Sequence, residues 1–155
     1  MMRLLQYAFL ACALLCSSCK NDKDSVPTIE PAVGIEIADF AGEWRLSAWS
    51  GGTDLDKEIY LRLNADQTFT LYQNIVSHGF ECFDGTFTFD SQSALIRGTY
   101  ASGTPWGGEY IIGALTENSM QWQMAGTSDI ATYTRSVIPS LPLQPASRSG
   151  SVPFL

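Results

Sequence analysis

The sequence predicts an all-β fold, an eight-stranded antiparallel up-and-down barrel, on three observations. Between residues 43 and 136 short β-rich runs recur with turn residues between them, the spacing expected of an all-β barrel or sandwich. Several of these runs alternate apolar with polar side chains, the period of a strand with one buried and one wet face. No amphipathic helical stretch of useful length follows Glu43, which excludes a parallel sheet, because parallel strands need crossover helices.

The expected strands are 43–50, 57–64, 68–76, 82–90, 94–101, 108–115, 119–125 and 130–136. Taking Trp44 as inward sets the register of the first. In the second, Ile59, Leu61 and Leu63 alternate with Tyr60 and Arg62. Asn64-Ala65-Asp66-Gln67 then turns the chain into the third, since Asn and Asp tolerate or cap turn conformations. Asp90-Ser91-Gln92-Ser93 joins the fourth to the fifth by the same chemistry, and Thr116-Glu117-Asn118-Ser119 joins the sixth to the seventh. There Met120, Trp122 and Met124 alternate with Gln121 and Gln123. With every connection short, neighbours pair as hairpins, and the eighth strand completes a set that buries one face by closing on itself, which leaves no exposed edge. Residues 34–41 are expected to form a short helical turn across one end, with Phe40 as a plug.

The 155 residues leave room for one domain, and 45% hydrophobic against 16% charged residues is the balance of a folded chain. A formal net charge of -7 repels phosphate backbones and anionic headgroups. Nucleic acid is therefore excluded as a partner, and any membrane attachment must be covalent.

The N-terminus has the order of a secretory signal: Arg3, an apolar run from Leu4 to Leu15 broken by Gln6, then small residues ending at Cys19. That run is about twelve residues, well short of the roughly 20 that span a bilayer as a helix. Residues 1–18 are read as a signal peptide, 19–33 as a flexible tether, 34–138 as the barrel domain and 139–155 as a disordered tail. Lys20-Asn21-Asp22-Lys23-Asp24 and the prolines Pro27 and Pro31 suit a solvated tether, while Pro139, Pro142, Pro145 and Pro153 among serines suit a disordered tail. Leu15-Cys16-Ser17-Ser18-Cys19 resembles a lipobox, the sequence at which bacterial lipoproteins are acylated on cysteine and cut just before it. That resemblance implies a palmitate-type lipid anchor on Cys19 and a place on the outer membrane, at its periplasmic face or on the cell surface, with the membrane as partner. Cys16 as the modified cysteine, and an ordinary secretory signal without lipid, are the alternatives. Cys82 would be left as the one unmodified thiol of the mature chain, and it is expected to be a small buried filler.

The inward positions Trp44, Leu61, Leu71, Phe87, Ile96, Ile112, Trp122 and Met124 are the candidate lining of an apolar ligand pocket. Packing against one another as a solid core is the alternative. Asp54, Asp56 and Glu58 read as a solvated loop rather than a calcium site, and His78 has no second histidine with which to hold zinc. No metal or other cofactor is expected. No nucleophile elbow, phosphate loop or catalytic carboxylate pair is visible, so no enzyme activity is expected.

Gly42-Glu43-Trp44 at the start of the first strand is similar to the Gly-x-Trp signature of lipocalins, and Tyr133-Thr134-Arg135 lies where that family has an arginine late in its last strand. The resemblance implies that Trp44 closes one end of the barrel and Arg135 packs against it. Asp66-Gln67-Thr68-Phe69, Gly98-Thr99-Tyr100 and Gly103-Thr104-Pro105-Trp106-Gly107 extend the likeness, over residues 40–136, to the lipocalin-like domains of small bacterial surface lipoproteins. The chain departs from lipocalins proper in lacking a long helix after the last strand. What the resemblance implies is a membrane-anchored barrel that binds a small hydrophobic ligand or none. The rival is a protein-binding envelope module, a protease inhibitor or an accessory subunit of a surface complex, with the loop of Thr104, Pro105 and Trp106 as its contact.

Overall fold

A helical turn and eight strands make up the domain. The computed structural model describes residues 28–50, 52–75, 79–143 and 152–155. The turn α1 (Ile37–Phe40) precedes β1 (Gly42–Trp49), β2 (Glu58–Leu63), β3 (Thr68–Asn74), β4 (Glu81–Asp90), β5 (Leu95–Tyr100), β6 (Tyr110–Gly113), β7 (Ser119–Met124) and β8 (Ile130–Arg135). Each strand pairs antiparallel with the next and β8 returns to β1, so the sheet is a closed barrel.

Local chemistry explains the hairpins. Asp66 Oδ1 accepts from the Thr68 N–H at 3.1 Å and the Thr68 hydroxyl at 2.6 Å, which stabilises Gln67 in a left-handed conformation with φ 66°. Asp90 does the same with the Gln92 N–H at 3.0 Å and the Ser93 hydroxyl at 2.7 Å. The period-two pattern then decides which side chains enter: in β3, Phe69, Leu71 and Gln73 are buried and their neighbours are only partly so. β6 is shorter than expected because it pairs with β5 at only Leu95↔Ile111 and Ile96↔Tyr110. The rest of that seam is filled by the loop before it, which sends the Trp106 ring inward against Gly98, where any Cβ would overlap the indole.

One end of the barrel is sealed. Phe40 is fully buried and meets Phe89 edge-on at 4.9 Å. Trp44 donates its indole N–H to the Phe40 carbonyl at 2.9 Å. Across the β1–β8 seam Trp44 faces Arg135, whose guanidinium lies 3.9 Å from the centre of the indole and donates to the Ala41 carbonyl at 2.6 Å. Gly42 has φ 135°, and a side chain there would overlap the same guanidinium, so the position requires glycine. Glu43, on the outer face, accepts from the Ile138 N–H at 2.8 Å and pairs with Arg62 at 2.7 Å. The Ile138 bond foremost, then Arg62, hold its carboxyl below the usual range.

Three expectations are corrected. Residues 28–33 lie bonded along the barrel where a tether was expected: the Ile29 N–H donates to Gln123 Oε1 at 2.8 Å, Ile29 is buried over Gly113, and Pro31 bridges to Gly113. The sheet accepts this strap because Gly113 offers it no opposing side chain. The tail is likewise ordered in its described parts, with the Phe80 N–H donating to the Pro142 carbonyl at 3.0 Å and Leu155 buried at 4% exposure. Cys82 is exposed rather than a buried filler, since alternation along β4 turns its neighbours Glu81 and Phe83 inward instead.

Truncating Trp44→Ala is expected to lower the unfolding free energy by about 3–5 kcal/mol, the cost of emptying a large aromatic site. A urea titration measures it, and a loss no larger than that of a surface substitution would show that this end does not hold the barrel shut.

Candidate functional site

The strands run so that Trp49, Gln73, Tyr100, Tyr110 and Met124 surround the end opposite Phe40. Here the packing changes. A cavity of about 540 Å³ opens between Phe83 of β4, Tyr100 of β5, Tyr110 of β6 and Met124 of β7, with the loop at Thr104 and Pro105 on one side. Its remaining wall is the segment of residues 152–155.

That segment is seated by specific bonds. Tyr100 donates its hydroxyl to the Leu155 main-chain oxygen at 2.7 Å. The Phe154 N–H donates to Gln73 Oε1 at 2.8 Å, and Gln73 Nε2 donates back to the Val152 carbonyl at 3.2 Å. The Phe154 ring stands edge-on to Trp49 at 4.9 Å, with the Lys57 ammonium about 6 Å from both rings, the range of a cation–π contact.

Polar atoms are few and deeply placed. Burial raises the pKa of Tyr100, Tyr110 and Tyr133, with Tyr110 pushed up to about 12. Burial foremost, then the neighbouring Tyr110 and Tyr100, raises the Tyr133 pKa. Among the described residues, the Tyr133 hydroxyl and the Trp106 indole N–H are buried without a hydrogen-bond partner. Each such orphan costs about 1–3 kcal/mol, and both belong to the packed interior rather than to the cavity wall. An apolar wall with a few convergent donors is suited to binding.

The residues expected to line a pocket divide unequally. Trp44, Leu61, Leu71, Phe87, Ile96, Ile112 and Trp122 come together inside the barrel at no more than 2% exposure, as packed core. Met124 alone reaches the cavity. Trp122 has no space beside it: Trp106, Tyr110 and Tyr133 lie within 5.3–5.8 Å ring to ring, and its N–H points at the Met120 sulfur. Gly42, Trp44 and Arg135 sit together at the sealed end. Tyr100, Tyr110, Phe83 and residues 152–155 were not anticipated. The usable signal was the cluster Val152-Pro153-Phe154-Leu155, too apolar for a solvated tail. Cys19 and His78 lie outside the described residues. Among the described residues no group of three histidine, cysteine or acidic side chains could hold a metal, and no helix is long and apolar enough to cross a membrane.

A family model described as a lipocalin-like domain matches residues 40–122. Among solved structures, the chain is similar to an NMR structure of a protein from Bacteroides uniformis ATCC 8492, with 26% sequence identity and a TM-score of 0.50, over 65% of this chain and 92% of that one. No curated protein matches.

Buried tyrosines make the open end sensitive to alkali. An unfolded tyrosine ionises near its ordinary pKa of 10.0, whereas Tyr110 keeps its proton to about 12, so stability is full below pH 10 and is lost as pH rises between those values. The thermal midpoint is expected to fall above pH 10 and to fall less steeply in Tyr110→Phe. An identical slope in the variant would show that Tyr110 ionises freely in the folded barrel.

Proposed function

The chain belongs to the lipocalin-like domain family, and from that premise we propose that it binds a small hydrophobic molecule at the open end of its barrel while anchored to the outer membrane through lipid on Cys19. The observation that carries the binding reading is the cavity of about 540 Å³ walled by Phe83, Tyr100, Tyr110 and Met124, within the size range of small-molecule sites. Lipocalin-like folds are typically binding rather than catalytic ones.

Lipid attachment rests on Leu15-Cys16-Ser17-Ser18-Cys19. The strap sets where such an anchor would attach, because Ile29 is held by Gln123 next to the open end. From Cys19 to Thr28 is nine residues, a reach of at most about 30 Å when extended. An acylated Cys19 would thus keep the mouth close to the bilayer, where apolar ligands concentrate. The protein-docking rival relied on Trp106 as a surface contact, but its ring is 4% exposed and packed against Phe69, so the observation that would favour docking is absent at that residue.

Titrating the protein with a fluorescent fatty acid is expected to give saturable quenching of tryptophan emission, weakened about tenfold, some 1.4 kcal/mol, by Met124→Glu and unchanged by Cys82→Ser. Quenching that ignores Met124→Glu would place the ligand elsewhere. In cells, an alkynyl palmitate label is expected to be lost in Cys19→Ala; retention of label would move the anchor to another cysteine.

A further inference from the structure

The segment Val152-Pro153-Phe154-Leu155 occupies the mouth as a bound molecule would. Leu155 is 4% exposed, inside the ring of strands, and offers its main-chain oxygen to the Tyr100 hydroxyl. Phe154 and Val152 are held by a reciprocal pair of bonds with the side chain of Gln73, a residue of β3 that faces into the barrel. None of these four residues belongs to a strand, and the hydrogen bonds that seat them run to the side chains of Gln73 and Tyr100. The segment is therefore attached the way a ligand is, by side-chain donors and acceptors and by rings, rather than the way a strand is. It also leaves the mouth incompletely filled: the cavity beside it is lined by the segment on one side and by Tyr100, Tyr110 and Met124 on the other. Val152 is 83% exposed, so the segment has an end that solvent can peel.

We infer that residues 152–155 are a built-in competitor for the mouth: the chain keeps its own ligand site closed, and an external ligand enters by displacing this segment and presenting an oxygen acceptor to the Tyr100 hydroxyl. The inference rests on the mouth being the ligand site. It adds the chemistry of the ligand, an apolar body of the bulk of Phe154 and Leu155 carrying a carbonyl or carboxylate oxygen. Because only the open fraction of molecules binds, the segment lowers apparent affinity by that fraction.

The test compares the intact chain with a full-length Phe154→Ser/Leu155→Asp variant, using cis-parinaric acid as the probe and a synthetic peptide of residues 152–155 as competitor. The variant is expected to bind the probe about tenfold more tightly than the intact chain, and the peptide to displace the probe from the variant. Equal probe affinity in the two chains would overturn the inference while leaving the ligand-binding reading standing. If neither chain binds the probe, the ligand reading fails for this class, and the peptide decides the inference by itself: binding to the variant alone upholds it, and no binding to the variant overturns it. Should the double variant not fold, judged by circular dichroism, Tyr100→Phe replaces it. That change removes the Leu155 bond alone, and it is expected to speed hydrogen exchange at the Phe154 N–H; unchanged exchange would overturn the inference.

Discussion

Closure of β8 onto β1 is the pairing no local turn enforces. Successive strands are brought together by turns such as Asp66 and Asp90 cap, but the first and last must meet across almost the whole domain, against the entropy of closing so long a loop. Arg135 offsets that cost in one place. Its guanidinium covers the Trp44 ring on the opposite strand and bonds to the Ala41 carbonyl before that strand and to the Glu117 carbonyl between β6 and β7. A single side chain thus ties β8 to the chain entering β1 and to the neighbouring hairpin, and Gly42 is glycine because that side chain needs the space.

Sealing one end sets the chemistry of the other. With Phe40, Phe89 and Trp44 packed at the base, and Trp122, Trp106 and Tyr133 stacked through the middle, the interior is too full for a deep ligand. Space remains only where strands end and side chains have fewer partners. The strand ends also bring polar groups inward: Gln73, Tyr100 and Tyr110 replace the aliphatic residues found deeper in the same strands. The open end is accordingly apolar enough to hold a small molecule and polar enough to orient one.

Much of this fold could be read from residues in order. The eight strands fall within a few residues of where alternation puts them, because period-two burial is written into each strand separately, as in Ile59, Leu61 and Leu63. The Gly42, Trp44 and Arg135 set was legible through its likeness to a known signature. The strap of residues 28–33 and the seat of residues 152–155 were not. The strap reads locally as solvated chain around Pro31, residues 152–155 are apolar but too short to show a strand or helix period, and what orders both is distant: Gly113 and Gln123 for the strap, Gln73 and Tyr100 for the other. Cys82 was misread for a related reason, since its small size suits either face and only the register of β4 puts it outside.

Periodicity and turn residues, carried by near neighbours along the chain, determined the all-β class, the number of strands and the hairpin order. The tertiary structure decided which interior positions are solid core and which face a cavity, because that depends on how large side chains from non-adjacent strands share one volume. It also decided that residues 152–155 fill part of that cavity. Whether Phe154 and Leu155 stay in water or enter the barrel depends on Tyr100 and Gln73 standing at the mouth to receive them, and no neighbouring residue in the sequence carries that information.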